Sequence, residues 1–97
     1  MKLLTEELVK RFAKVGSQKD QKDPLVIAKL STWDESIVWY VTECNLKTRR
    51  CYGYVKAGLG SKWRPFHLDK FQNAVFMTIP AKRDFKFKET KFSELDL

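Results

Sequence analysis

One histidine and two cysteines are the residues of this chain best suited to nucleophilic chemistry. A hydrolase of that type needs a nucleophile, a general base beside it and a group that orients the base. His67 is the one imidazole available as a base, with Cys44 or Cys51 as the nucleophile. No local spacing brings His67 next to either thiol, so we interpret it as a packing or capping residue. We therefore assign no catalytic residue and expect no enzyme activity.

The two cysteines flank a polar stretch, Asn45 to Arg50, that is typical of a hairpin loop. Cys44 and Cys51 could thus face each other on paired strands. We expect two reduced thiols, because the cytosol is reducing. A zinc site needs two more soft ligands, and His67 supplies one at most. The sequence therefore predicts no metal site.

Two further patterns suggest chemistry but have the wrong spacing. Gly58 to Lys62 resembles a phosphate-binding loop, yet the nucleotide-binding motif places its glycines further apart before the lysine. We predict a turn there, which could hold an isolated phosphate through the lysine and backbone amides. Three carboxylates could form an acid/base pair or bind a metal, but a predicted strand separates Asp34 and Glu35 from Glu43. Neither pattern implies a cofactor.

Aromatic and basic residues together form the most informative set. Aromatic rings on a sheet face can stack nucleic-acid bases while Lys and Arg hold phosphates. The same residue types suit a protein–protein interface, and they can also fill a core. A sheet with a helix on one face cannot hide all of these rings on that face. The aromatic members are Trp33, Trp39, Tyr40, Tyr52, Tyr54 and Trp63, with Arg49, Arg50, Lys62 and Arg64 close in sequence.

The charge of the chain favours an anionic partner. Its 19 basic and 12 acidic side chains give a net charge of +7. A basic surface attracts polyanions and gives salt-sensitive binding to phosphates, although lysines also simply keep small proteins soluble. We predict that nucleic acid or another partner binds a surface made of Arg49, Arg50, Lys62, Trp63, Arg64, Lys82, Arg83, Lys86 and Lys88.

The elements that must position these residues begin with a helix. Thr5 is a good N-cap, two acids follow it in the first turn, and Gly16 is a natural stop. Leu8 and Phe12 lie four residues apart and can face the core together.

Strand patterns fill most of the remaining chain. Tyr52 and Tyr54 should share one face of their strand, and Pro65 should keep its strand at a sheet edge. Short connections between the runs imply antiparallel pairing. The predicted strands are 25–30, 36–42, 51–56, 63–67 and 84–88. The run 75–79 is a strand or a buried connector, and the tail 92–95 forms a last turn.

We therefore predict an α+β fold: a small antiparallel sheet of about four to five strands covered by the N-terminal helix, with a short second helix at Leu68 to Asn73. The 97 residues fit a single domain, 1–97. No stretch is long and apolar enough for a membrane helix, and the N-terminus lacks the apolar run of a secretory signal. We expect a cytoplasmic protein.

The order of short signatures along the chain resembles the bacterial family called domain of unknown function 2958. Nearly the whole chain takes part. The signatures are Lys2 to Leu8, Ser17-Gln18, Lys22-Asp23-Pro24, Trp39 to Glu43, Tyr52 to Val55, Gly58-Leu59, Phe66-His67-Leu68, Arg83-Asp84-Phe85 and Phe92 to Leu95. The resemblance supplies no catalytic residues. It implies a small accessory protein encoded on plasmids, integrative elements and phages.

The function predicted from these observations is binding. The first hypothesis is a non-enzymatic accessory protein that binds nucleic acid or a nucleoprotein complex through a basic aromatic surface. The alternative is an inhibitor of a host defence system, of the anti-CRISPR type, that acts by protein–protein contact.

Overall fold

The first element is the predicted helix, α1, which spans Glu6–Val15. Its two acids lie in the first turn, where the helix dipole favours negative charge. The helix ends at Gly16, whose φ of 67° lies in the left-handed region and whose N–H donates to the Phe12 carbonyl at 2.9 Å. Leu8 and Phe12 are buried, as their spacing predicts.

The computed structural model describes residues 6–18, 20–32, 35–45, 47–58, 60–67, 81–84 and 86–95. The predicted helix at Leu68 to Asn73 and the apolar run 75–79 lie outside these residues. The same holds for the Thr5 cap, for Trp33 and Asp34, and for the side chain of Lys82. No helix in the described ranges has the length and apolar character needed to span a membrane.

Seven strands form two antiparallel sheets within the described residues. The larger sheet has five strands in the order β5-β4-β3-β2-β6, and β1 pairs with β7 in a separate ribbon. This is the predicted α+β fold, and β5 with its proline lies at the predicted edge. The strands are β1 Leu25–Val26, β2 Ala28–Thr32, β3 Ile37–Asn45, β4 Arg50–Ala57, β5 Gly60–His67, β6 Ala81–Arg83 and β7 Thr90–Lys91.

Strand register divides the side chains of the larger sheet between two faces. Residues directly opposite each other on neighbouring strands share a face. One row, Leu30, Trp39 and Val55, belongs to the core cluster that includes Leu8 and Phe12 of α1, and we call this side the helix face. The next row, Lys29, Tyr40, Tyr54 and Trp63, lies on the opposite side, which we call the tyrosine face. Aromatic residues therefore occupy both faces, as predicted.

The predicted strand Leu25 to Leu30 is in fact two strands. The Ile27 N–H donates to the Val41 carbonyl at 2.9 Å, which keeps the chain beside β3 at this point. Before Ile27, β1 leaves the large sheet and pairs with β7, Leu25 opposite Lys91 and Val26 opposite Thr90. One apolar run thus contributes strands to two sheets. Its composition does not indicate where the chain passes from one sheet to the other.

A β-bulge interrupts β3 between Val41 and Glu43, where it pairs with β4. Thr42 is the extra residue, is buried, and donates its hydroxyl to the Tyr52 carbonyl at 3.1 Å. Gly53 lies beside this bulge, and a Cβ there would approach the Tyr40 carbonyl oxygen to 2.1 Å. The close approach of the two backbones requires glycine.

The predicted strand Asp84 to Lys88 is wrong. Asp84 follows β6, and its side chain accepts from the Lys86 N–H at 2.9 Å while its carbonyl accepts from the Phe87 N–H at 3.2 Å. An aspartate that accepts from the backbone two residues later forms an Asx-turn. The alternation of apolar and basic residues that suggested a strand therefore belongs partly to a turn.

The tail forms a 3-10 helix at Phe92–Glu94 and is fixed to the loop before β1. Asp23 accepts two hydrogen bonds from Ser93, one from the backbone N–H at 2.8 Å and one from the hydroxyl at 2.6 Å. The Phe92 N–H donates to the Pro24 carbonyl at 2.9 Å. The tail thus forms a turn of helix, as predicted, and packs onto the fold.

These hydrogen bonds make the attachment of the tail sensitive to acid. The Ser93 hydroxyl, then the Ser93 N–H and the Lys91 charge, lower the pKa of Asp23. Because the folded-state pKa lies below the unfolded one, this stabilisation is present at neutral pH and is lost as the pH falls through the folded-state value. We expect Ser93→Ala to raise the pKa of Asp23 in an NMR titration. Ser61→Ala should leave the pKa of Asp23 unchanged, because the Ser61 hydroxyl donates to the Ala57 carbonyl instead.

Candidate functional site

A groove of about 530 Å³ opens where the tail, the loop after α1 and the tyrosine face meet. Its walls combine aromatic rings with polar and charged side chains. The lining residues are Gln18, Gln21, Lys22, Pro24, Thr42, Glu43, Tyr52, Trp63 and Phe92. We call it the aromatic groove.

Three rings of this groove pack together, with Tyr54 beside them. Tyr52 and Trp63 stack nearly parallel, with ring centroids 6.0 Å apart and planes 16° apart. Phe92 packs at 4.7 Å from Trp63 and 5.0 Å from Tyr54, in tilted arrangements. Sheet register explains the cluster: Trp63 lies opposite Tyr54, and Tyr52 lies two residues along the same face. The tail adds Phe92 from the far end of the chain.

The polar wall of the groove depends on Gln18, which is 8% exposed. Its Nε2 donates to the Thr42 carbonyl at 2.5 Å and to the Leu25 carbonyl at 2.8 Å, and its Oε1 accepts from the Leu25 N–H at 2.7 Å. The Gln18 backbone N–H also donates to Oε2 of Glu43 at 2.7 Å. One residue thus ties the loop after α1 to the bulge in β3 and to β1, and holds the Glu43 carboxylate in place.

The structure separates three predicted binding residues that are neighbours in sequence. Trp63 lies on the tyrosine face and lines the aromatic groove. Lys62 is paired with Val55 and Arg64 with Gly53, which places both on the helix face. Both basic side chains are exposed. They therefore do not flank Trp63 on one surface.

The other predicted basic residues are spread over the molecule. Arg49, with a φ of 63°, and Arg50 lie at the loop end of the β3–β4 hairpin. Arg50 contributes to a second concavity of about 430 Å³ with Thr48 and His67 among its lining residues. Lys82 and Arg83 belong to β6, at the sheet edge opposite β5, and exposed Lys86 and Lys88 follow it. Those of the nine predicted residues whose side chains the structure describes do not form one continuous patch.

The residues considered for nucleophilic chemistry are also separated. His67 is paired with Arg50, while Cys51 is paired with Phe66 on the other face of the sheet. The two cysteines lie directly opposite each other, as predicted, and both are free thiols. Among the described residues, no three His, Cys, Asp or Glu side chains are grouped as a metal site.

Most lining residues of the aromatic groove were not among the predicted binding residues. Of the nine, Trp63 alone was selected, because it combines with neighbouring arginine and lysine in sequence. The other lining residues come from segments far apart in the sequence, and only the fold brings them together.

Comparison with known proteins gives no match for this chain: no protein-family model matches it, and no curated protein or solved structure is significantly similar. The resemblance to the domain of unknown function 2958 family stays a prediction. The function must therefore be argued from the groove itself.

Proposed function

We propose that this chain binds single-stranded nucleic acid, with a base held in the aromatic groove. The observation that carries the proposal is the stacked pair of Tyr52 and Trp63 in a groove that also contains Lys22. The resemblance extends the proposal to an accessory role in a mobile element or phage, without enzyme activity.

Stacking supplies the first part of the binding energy. A base on an aromatic side chain is worth about 1–3 kcal/mol, and every base has a flat face that can stack. Trp63 offers the largest ring in the groove, and β5 holds it at the sheet edge. Unpaired bases are needed for such contacts, which favours single strands over duplexes.

Polar groups of the groove suit the rest of a nucleotide. Lys22 can pair with a phosphate, while the Gln21 amide and the Glu43 carboxylate can hydrogen-bond base edges. The net charge of +7 adds a general attraction for polyanions. A single nucleotide, with its base against these walls and a phosphate at Lys22, fits these features.

The first test is binding of labelled oligonucleotides, measured by fluorescence polarisation at about 50 mM salt. We expect the wild type to bind single-stranded oligonucleotides more tightly than duplexes. Trp63→Ala should weaken the single-strand affinity by about 5- to 150-fold, the equivalent of one lost stacking contact. Trp63→Phe keeps an aromatic ring at this position and should therefore retain most of the single-strand affinity.

A matched pair of charge variants tests whether the groove or the overall charge is responsible. Lys22→Gln and Lys62→Gln each remove one positive charge, but Lys22 lines the groove and Lys62 lies on the helix face. Lys22→Gln should weaken binding more and reduce the slope of log affinity against log salt by about 0.7. Equal effects, or no binding by the wild type, would show the proposal to be wrong.

A second candidate, contact with a host defence protein, is favoured by the carboxylate of Glu43 beside the rings. An arginine of a protein partner can stack on an aromatic ring and pair with a carboxylate. In that case a short arginine peptide should bind, Glu43→Gln should abolish its binding, and oligonucleotides should not compete. This pattern would replace the nucleic-acid proposal.

A further inference from the structure

The thiols of Cys44 and Cys51 approach each other at the loop end of the β3–β4 hairpin. The two residues are direct partners in the ladder, and their sulfur atoms are 2.8 Å apart. They lie one rung from the pair Glu43–Tyr52, which lines the aromatic groove. The arrangement is independent of the proposed nucleic-acid binding.

We propose that Cys44 and Cys51 form a dithiol that converts to an intramolecular disulfide by exchange with a low-molecular-weight disulfide such as oxidised glutathione. Directly opposed residues have Cβ atoms about 4.5–5.5 Å apart, and a disulfide needs about 3.5–4.5 Å. A small adjustment of the strand ends closes this gap. Only the pair Asn45–Arg50 separates this rung from the short β3–β4 loop, and such an adjustment is easiest near the end of a hairpin.

The two thiols differ in access, and this difference sets the order of the reaction. Cys44 is half-buried, whereas Cys51 is 2% exposed and belongs to the core cluster with Phe66. An incoming disulfide can reach Cys44 but not Cys51. The hydrogen bond from the Cys51 thiol, and then the charge of Arg49, lower the pKa of Cys44. The hydrogen bond to Cys44 and burial raise the pKa of Cys51.

The exchange proceeds in two balanced steps. The Cys44 thiolate attacks one sulfur of the small disulfide, which forms a mixed disulfide on Cys44 and releases one small thiolate. Cys51 loses its proton and attacks the Cys44 sulfur, which forms the protein disulfide and releases the second small thiolate. The two cysteine protons end on the two released thiols. The protein dithiol is oxidised, and the small disulfide is reduced to two thiols.

The test is intact-mass spectrometry of the full chain after incubation with oxidised glutathione at neutral pH, followed by peptide mapping. We expect the wild type to lose two hydrogens and to retain no glutathione. Cys51→Ser should accumulate glutathione on Cys44, because no second thiol releases it. Cys44→Ser should accumulate far less, since Cys51 is shielded.

Because Cys51 is buried, a second variant is needed to control for a folding defect. Cys51→Ala should behave like Cys51→Ser, and circular dichroism should show that each variant retains the wild-type spectrum. The proposal is wrong if the wild type keeps two free thiols, or if it retains glutathione on Cys44. It is also wrong if folded Cys44→Ser and Cys51→Ser accumulate glutathione equally.

Discussion

Replacing Gly53 with alanine is expected to destabilise the protein by about 3–5 kcal/mol, a large share of the stability of an ordinary domain. The new Cβ would lie 2.1 Å from the Tyr40 carbonyl oxygen and 3.0 Å from the Val41 Cα. Both are backbone atoms in the neighbouring strand, so neither can move aside by changing a rotamer. Relief requires separating β3 from β4 at the bulge. Urea and thermal unfolding followed by circular dichroism would measure the loss.

Gly58→Ala is the matched control, because a Cβ at Gly58 meets nothing within 4 Å. It should unfold close to the wild-type midpoint. If Gly53→Ala unfolds at the same midpoint as Gly58→Ala, the close approach of β3 and β4 at this position is contradicted.

Replacing Gln18 with alanine is the second change with a large expected effect, about 2–4 kcal/mol of lost stability. The substitution leaves the Leu25 N–H and the carbonyls of Leu25 and Thr42 without the partner that the buried side chain supplies. Unsatisfied buried polar groups retain their desolvation penalty, which is about 1–3 kcal/mol each before relaxation. Denaturant unfolding at neutral pH would measure the effect.

Two further variants separate hydrogen bonding from packing at this position. Gln18→Glu preserves the size of the side chain, but a carboxylate cannot donate to the two carbonyl groups, so we expect a loss as large as that of alanine. Gln21→Ala removes an exposed side chain from the same loop and should change stability by less than about 0.5 kcal/mol. A stable Gln18→Glu protein would contradict the donor role of Nε2.

Local patterns were sufficient to predict α1 and the strands β3, β4 and β5, but they missed β6 and β7 and did not separate β1 from β2. The spacing of Leu8 and Phe12 identified the buried side of α1, and alternation placed Tyr52 and Tyr54 together on one face. Pro65 identified the edge strand, since proline cannot donate to a second neighbour. These predictions succeed because each depends on backbone periodicity within a few residues.

The aromatic groove could not be predicted in the same way. It combines Gln18 from a loop, Glu43 beside a bulge, Tyr52 from β4 and Phe92 from the tail. Their meeting depends on the hydrogen bonds of one buried amide and on the pairing of β1 with β7. Such long-range contacts have no periodic signature in the sequence.

The predicted basic surface shows a different cause of error. Lys62, Trp63 and Arg64 were grouped because they are adjacent in sequence. Adjacent residues of a strand point to opposite faces, so Trp63 faces the groove while the two basic residues face the other way. Grouping residues two apart, once the segment was recognised as a strand, would have separated them.

The pairing of β1 with β7 has a consequence for the order of folding. Strands β2 to β5 pair in sequence order through short hairpins, and local contacts of this kind form quickly. Leu25 must instead find Lys91, which closes a long loop at a greater entropic cost. During synthesis Trp63 and Tyr54 emerge well before Phe92, which packs against both. We expect the nascent chain to expose this aromatic surface until Phe92 has left the ribosome, and the groove to form after strands β2 to β5 have paired.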